Sequence, residues 1–252
     1  MLLLIDAGNT RVKWALVARG ERTVGKWAAS GRVEHAQMRQ LCEEWSGQHI
    51  VRVLISNVAG QAMRDSLEQV LLGALGMQPV PLEWFASAPE LAGIRNSYRQ
   101  PTQLGCDRFA SAIAAHTLFP GRALIVSTCG TATTVDAITA EGVFLGGMIL
   151  PGLGLMAQSL AKNTAQLPQV AETLDVSEPF ADHTDAAIVS GCLAAQAGAI
   201  ERAAAAHARR QGEVQCILSG GAASLIAPHL SVPHTTVENL VLLGLHTVAM
   251  ST

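Results

Sequence analysis

The sequence predicts a duplicated α/β fold, and two observations carry the prediction. The first is an apolar run that ends in a polar corner. Leu2 to Ile5 leads directly into Asp6-Ala7-Gly8-Asn9-Thr10, and Arg11-Val12-Lys13-Trp14-Ala15-Leu16-Val17 resumes as a second strand. The second is the return of the same construction about half a chain later. Ala123-Leu124-Ile125-Val126-Ser127 reaches Thr128-Cys129-Gly130-Thr131, Thr133 to Ile138 comes back as a strand, and Gly142 to Gly147 forms a third. Two such units at that separation mark an internal duplication, with halves at residues 1–120 and 121–252 and the two turns facing each other across a cleft.

Each corner has a chemical use. A carboxylate at a strand end can hold a hydrated Mg²⁺, and a glycine lets backbone approach a polyphosphate with no Cβ in the way. Amide and hydroxyl side chains such as Asn9, Thr10 and Thr131 add donors. An ordinary hairpin turn accounts equally well for the first copy taken alone. Its recurrence favours two turns gripping a nucleoside triphosphate. A Walker-type loop is excluded because a helix would have to follow it, and here a strand does.

Taken in order, the first half places its third strand near Thr23 to Ala28. A helix from His35 to Trp45 carries Met38, Leu41, Cys42 and Trp45 at helical spacing. Val51 to Val58 reads as a strand and Ala62 to Leu72 as a helix with Met63, Leu67, Val70 and Leu71 inward. Pro79 to Pro101, punctuated by Pro81, Pro89 and Gly93, reads as an irregular loop region over a site. Asp107 to Leu118 is helical, and Pro120-Gly121 marks the joint. In the second half, Ala186 to Arg210 is a long small-residue helix suited to helix–helix or subunit packing. Gln215 to Ser219 is a strand ending at Gly220-Gly221, and Asn239 starts a final apolar helix.

Composition narrows the class. The 252 residues suffice for a full core, and 49% of them are hydrophobic. A net charge of −3 implies neither a nucleic-acid nor a membrane partner. The five cysteines are scattered without C-x-x-C spacing, which predicts free thiols in a reducing compartment. His229 and His234 fit no ordinary zinc spacing. No basic leader precedes the first strand and no apolar run spans a bilayer, so the expectation is a cytoplasmic protein.

Gly105-Cys106-Asp107-Arg108 opens a helix after Pro101. A carboxylate in a first turn is stabilised as an anion by the helix dipole, and a neighbouring Arg suits a carboxylate or phosphate. Asp107 is therefore either a general base toward a substrate hydroxyl or an N-terminal cap beside a surface Arg. A dipole-lowered pKa makes a weak base, although phosphoryl transfer asks mainly for orientation and late proton removal. Pro151-Gly152-Leu153-Gly154-Leu155-Met156-Ala157 matches the dinucleotide fingerprint G-x-G-x-x-A, with Asp175 beyond it, but it follows a strand interrupted by proline. Gly220 and Gly221 suit either a flat approach to an adenine or a tight strand–helix turn.

Asp6 to Thr10, Tyr98…Pro101…Gly105 to Arg108, Gly130-Thr131-Ala132-Thr133-Thr134, Gly146-Gly147…Pro151-Gly152 and Leu218 to Gly221 stand in one order along nearly the whole chain. In that order and spacing the sequence resembles the type III pantothenate kinases, members of the acetate/sugar kinase–Hsp70–actin superfamily. The resemblance implies duplicated ribonuclease H-like (actin-like ATPase) domains, each a mixed five-stranded sheet flanked by helices, with a nucleotide cleft between them. It implies ATP-dependent phosphorylation of pantothenate to 4'-phosphopantothenate, the first step of coenzyme A biosynthesis.

By the same resemblance, Asp6, Ala7, Gly8, Asn9, Thr10, Arg11, Val12 and Lys13 form the first ATP-phosphate segment, with Asp6 near Mg²⁺ through water. Thr131 contacts ATP phosphate, Asp107 is the catalytic base, and Tyr98, Gly105, Cys106 and Arg108 line the pantothenate pocket with it. Thr184 resembles a threonine that reaches pantothenate from a neighbouring protomer, which implies a homodimer. The family's second turn usually carries an Asp that helps hold an activating K⁺ or NH₄⁺. Thr128 stands there instead, so a neutral hydroxyl replaces that charge unless another group such as Asp136 compensates. Two rivals remain: another small-molecule kinase of the superfamily, and a non-enzymatic transcription accessory factor related to this family.

Overall fold

The run Leu2 to Ile5 is apolar at every position because both faces of its strand are covered, the pattern expected of a central strand rather than an edge. In the computed structural model, which describes residues 1–76, 80–171, 176 and 178–251, the chain divides into two units. One comprises Met1–Leu118 with Asn239–Thr252, the other Phe119–Glu238.

The first unit contains β1 (Leu2–Ala7), β2 (Arg11–Val17), β3 (Ala29–Glu34), α1 (Gln40–Trp45), β4 (Arg52–Asn57), α2 (Gln61–Leu75) and β5 (Leu82–Trp84). It continues through a small hairpin of β6 (Glu90–Leu91) and β7 (Ile94–Asn96) into α3 (Cys106–Leu118). Its five-stranded sheet has the order β3-β2-β1-β4-β5, antiparallel on the β2 side and parallel from β1 through β4 to β5. Leu3, Ile5, Val12, Trp14, Val53 and Ile55 project to one face and pack with Leu41, Trp45, Met63, Leu67 and Leu71 of α1 and α2. The opposite face carries Leu4, Asp6 and Ser56, by the alternation of strand side chains.

The second unit contains β8 (Ala123–Cys129), β9 (Ala132–Ile138), β10 (Val143–Pro151), α4 (Leu153–Asn163), α5 (Thr184–Gln211), β11 (Val214–Ser219), α6 (Ala223–Ile226) and β12 (His234–Thr236). Its strands run β12-β11-β8-β9-β10, antiparallel from β8 to β10 and parallel from β8 to β12. This is the first unit's order repeated strand for strand. The registers repeat too: Asp6 faces Lys13 and Ser56 across its neighbouring strands, and Thr128 faces Thr134 and Ser219. Helix α5 buries Ile188, Val189, Cys192, Gln196, Ile200, Ala204 and His207 along one stripe, and His207 Nε2 donates to the Ile138 carbonyl at 2.9 Å.

Several sequence expectations need correction. The final helix α7 (Leu240–Ser251), assigned to a half at 121–252, belongs to the first unit and packs on α3. The reason is steric. A Cβ on Gly244 would run into the Ala110 backbone, so this glycine lets the two helices cross at close range. The third strand is Ala29–Glu34 rather than Thr23 to Ala28. The Lys26 N–H bonds back to the Thr23 carbonyl at 3.1 Å and Gly25 has φ +84°, which makes that stretch a turn.

The helix expected over His35 to Trp45 breaks into a 3-10 turn, His35–Gln37, and α1. The stretch expected to be irregular holds β5, β6 and β7, while Pro79 lies outside the described residues. Helix α4 was not anticipated because Gly152-Leu153-Gly154 has low helix propensity; Gly152 is its N-cap residue. The dinucleotide fingerprint fails because β10, the strand before it, runs antiparallel to β9 and opens no parallel β-α-β unit among the described residues; Asp175 lies outside them.

Candidate functional site

Strand register assembles the site of the first unit. Asp6 sits at the end of β1 between Lys13 of β2 and Ser56 of β4. Ser56 Oγ lies 3.3 Å from Cys106 Sγ, and the same thiol is 3.6 Å from the Asn57 carbonyl, so the first residue of α3 rests on the end of β4. Asp107 follows immediately. The path from Asp6 to Asp107 therefore runs through Ser56 and Cys106, and Asp107's negative charge acts on Asp6.

Burial acts on Asp6 more strongly than that proximity does. Burial, reinforced by Asp107 and only partly offset by Lys13, raises the Asp6 pKa to about 7. Asp107 is raised as well, because burial outweighs both the Arg108 charge and the Arg108 N–H, which donates to Asp107 Oδ1 at 2.8 Å. This corrects the expectation of a weak, dipole-lowered base: desolvation wins over the helix terminus, and Asp107 is a better proton acceptor than its position in a first turn suggests. Burial pushes the Cys106 thiol up, so it serves here as a neutral packing and hydrogen-bonding group.

Arg108 is not the surface residue of the capping alternative. It is 7% exposed, its Nη1 donates to the Tyr98 hydroxyl at 2.9 Å, and its guanidinium carbon is 5.7 Å from the Tyr98 ring centre. Tyr98 is positioned by Asn96, which sequence reading missed. Asn96 Oδ1 accepts from the Tyr98 N–H at 3.0 Å while its Nδ2 donates to the Pro101 carbonyl at 3.0 Å. The only sequence signal was an Asn followed two residues on by the tyrosine, an Asx-turn spacing. Ser87 Oγ, donating to the Leu104 carbonyl at 2.8 Å, fixes the approach to Gly105.

The turn of residues 8–11 is closed by the Gly8 N–H, which donates to the Arg11 carbonyl at 3.2 Å. A Cβ on Gly8 would meet only the Arg11 carbonyl, at 3.5 Å, so the protein's own packing does not require glycine there. Asn9, Thr10 and Arg11 are exposed, while Ala7 and Val12 are buried and Lys13 is half-buried.

The turn of the second unit is held from both flanks. Its Gly130 N–H donates to the Ala132 carbonyl at 3.1 Å, and Gly152 N–H donates to the Thr131 carbonyl at 2.9 Å. The Ala222 N–H donates to the Cys129 carbonyl at 3.0 Å, and Gly220, at φ +95°, lies so close to Cys129 that a Cβ would overlap its backbone. Gly220 is thus accounted for by packing, whereas a Cβ on Gly221 would meet nothing within 4 Å. Thr131 is exposed. Thr128 and Thr134 share a sheet face with the buried Asp136, and Thr134 Oγ1 is buried with no hydrogen-bond partner. Thr184, the first residue of α5, is exposed.

The fold and these two turns define the class. The chain is similar over 99% of its length to a Campylobacter jejuni protein assigned to the Baf family of transcriptional activators (98% of that chain, TM-score 0.64, 17% identity). It is also similar over its whole length to a glucokinase from an Antarctic psychrotroph (99% of that chain, TM-score 0.53, 12% identity). At such identities the likeness speaks to fold alone, and it is that of the duplicated actin-like kinases. Within that class the type III pantothenate kinase family model matches residues 2–206. A type III pantothenate kinase of Janthinobacterium sp. (strain Marseille) is 65% identical over 99% of this chain and 98% of its own. The chain belongs to the type III pantothenate kinase family.

Proposed function

We propose that this chain transfers the γ-phosphoryl group of ATP to the terminal hydroxyl of pantothenate, producing 4'-phosphopantothenate and ADP for coenzyme A synthesis. Family membership supports the reaction, and the observation that carries the residue roles is the joined cluster of Asp6, Ser56, Cys106, Asp107 and Arg108. In this reading the pantothenate hydroxyl oxygen bonds to the γ-phosphorus as the bond to the β,γ-bridging oxygen breaks. The hydroxyl proton goes to Asp107. The loose transition state asks chiefly for alignment, which Asp107 supplies by accepting the hydroxyl's hydrogen bond.

Arg108, with Tyr98, Gly105 and Cys106, holds the pantothenate carboxylate and its neighbouring atoms, a match of guanidinium to a planar anion. Residues Asp6 to Lys13 and Thr131 bind the ATP phosphates. An Asp6 carboxyl whose proton affinity is raised by burial and by a second carboxylate fits a divalent cation, which favours its ionised form. Mg²⁺ held by Asp6 through water would neutralise developing phosphate charge. For K⁺ or NH₄⁺, Thr128, the unpartnered Thr134 hydroxyl and the carboxylate of Asp136 supply an oxygen set on one sheet face, with Asp136 replacing the charge missing at Thr128.

The enzyme acts as a cytoplasmic homodimer in which Thr184 completes the neighbour's pantothenate site. Phe180, 94% exposed four residues before Thr184, and the exposed Leu145, Ile149 and Leu155 support an apolar contact surface on this unit. The test is a coupled ADP-release assay over a panel of alcohols, with and without K⁺ or NH₄⁺. Pantothenate-dependent turnover is expected. Turnover of another alcohol in its place would assign a different kinase activity, and a folded dimer without any turnover would return the protein to a non-enzymatic role.

A further inference from the structure

We infer that His35 is a positioning residue for the first phosphate turn, holding the Gly8 carbonyl so that the Asn9 backbone N–H is aimed at a phosphate oxygen. The inference rests on the proposal that residues 6–13 bind ATP phosphate. His35 Nε2 lies 2.9 Å from the Gly8 carbonyl oxygen. A carbonyl only accepts, so Nε2 carries the hydrogen and donates it.

The geometry follows from topology. Strand β3 runs antiparallel to β2 with Glu34 opposite Arg11, so the residue just past the end of β3 arrives beside the turn that precedes β2. Gly8 is the residue of that turn with the widest conformational freedom. Its N–H is tied to Arg11 and its carbonyl to His35, so both of its peptide planes are fixed. A trans peptide is planar, and its C=O and N–H point in opposite directions. Fixing the Gly8 carbonyl toward His35 therefore points the Asn9 N–H the other way. That amide makes no hydrogen bond within the described residues, and Asn9 is exposed. A fixed, unpartnered backbone donor in a turn is how backbone recognises phosphate oxygens without side-chain charge.

The experiment compares His35→Phe, which keeps a ring but removes the donor, with His35→Gln, whose amide can donate to the same carbonyl. ATP affinity is measured by calorimetry and the Michaelis constants for both substrates by coupled assay, with melting temperatures recorded for each variant. Gly8→Val, which puts bulk into the turn, serves as the reference for the turn itself. His35→Phe should weaken ATP binding about tenfold, the scale of one hydrogen bond to a charged group, with the pantothenate KM unchanged. His35→Gln should recover most of that loss. Equal weakening in both His35 variants would mean that a donor at this position does not restore the turn, and would overturn the inference. Unchanged ATP affinity in His35→Phe beside a loss in Gly8→Val would also overturn it while leaving the turn's role intact. Unchanged affinity in all variants would overturn the turn's role as well.

Discussion

Arg108 and Tyr98 hold each other in two ways: the guanidinium donates to the phenol oxygen at 2.9 Å, and its carbon lies 5.7 Å from the ring centre. A buried guanidinium needs such support, because its charge is costly away from water and its fork recognises a carboxylate only when its plane is fixed. Tyr98→Phe removes the hydroxyl and keeps the ring. The expected result is a pantothenate KM raised about tenfold, the cost of one hydrogen bond to a charged group, with the ATP KM and kcat little changed. Steady-state kinetics in both substrates checks this. A pantothenate KM that does not move would mean that Arg108 needs no help from Tyr98.

Asp107→Asn keeps the shape of the side chain and removes its basicity. If Asp107 accepts the hydroxyl proton, kcat should fall by about 10²–10⁴-fold with the affinity for ATP nearly intact. The pH dependence has a definite sign. Burial raises the Asp107 pKa above its ordinary 3.8, and only the ionised form is a base, so kcat should climb with pH through that raised pKa and then level off. The part of the acidic limb due to Asp107 should vanish in the Asn variant, leaving only what Asp6, raised to about 7, contributes. A variant with near-normal kcat would leave Asp107 as a helix cap.

Charge made part of this site readable in the sequence. Asp6, Asp107 and Arg108 were legible as candidates because their charges stand at a strand end and a helix start, although a helix cap accounted for Asp107 as well. Strands β1 and β8 were equally plain, since burial on both faces leaves an unbroken apolar run. What stayed hidden acts through hydrogen bonds closed by the fold. Register sets Ser56 beside Asp6, both ends of the Asn96 amide are bonded, and His35 reaches Gly8 because β3 ends next to it. Ser56 and His35 have no spacing of their own, and Asn96 has only its two-residue step to Tyr98. The sign of the Asp107 shift was hidden too, because it depends on how deeply the first turn of α3 is buried. The place of α7 turns on one close approach, Gly244 on Ala110, that hydrophobicity alone does not reveal.

Gly152 is expected to tolerate no side chain. A Cβ there would lie 2.6 Å from the Thr131 carbonyl oxygen and would collide with that of Gly130, both of them backbone atoms of the turn proposed to bind phosphate. Backbone gives way less easily than a side-chain tip, so Gly152→Ala should cost about 1–3 kcal/mol of stability and displace the turn. The ATP KM should rise more than the pantothenate KM, because the turn and not the Asp107 cluster is disturbed. Thermal unfolding and kinetics together test it: a variant with unchanged stability and unchanged ATP KM would show that the turn absorbs the methyl group without consequence.

His246 should lower the stability of the first unit as the solution is acidified, against Asp6, whose pKa raised to about 7 makes a contribution of the opposite sign. The His246 ring is 1% exposed, packs 5.4 Å from the Trp27 ring, and accepts the Gly25 N–H at Nδ1 over 3.4 Å. Accepting at Nδ1 leaves the hydrogen on Nε2, so the native ring is neutral. Burial lowers its pKa below the ordinary 6.5, outweighing the opposing influence of Glu21. Between the lowered native value and 6.5 the unfolded chain holds a proton that the native state does not, so stability rises with pH across that window and falls as pH drops through it. Above 6.5 both states are neutral there and the contribution is flat. Protonating Nδ1 would also break the bond from Gly25, which holds the turn leading into β3. Because Asp6 contributes with the opposite sign between pH 8 and pH 5, the part due to His246 is read as a difference between variants whose melting temperatures are followed across that range. In His246→Phe, which fills the same space beside Trp27 and cannot titrate, the melting temperature should hold up better toward pH 5 than in the native protein. An identical pH profile in both would leave His246 a packing residue.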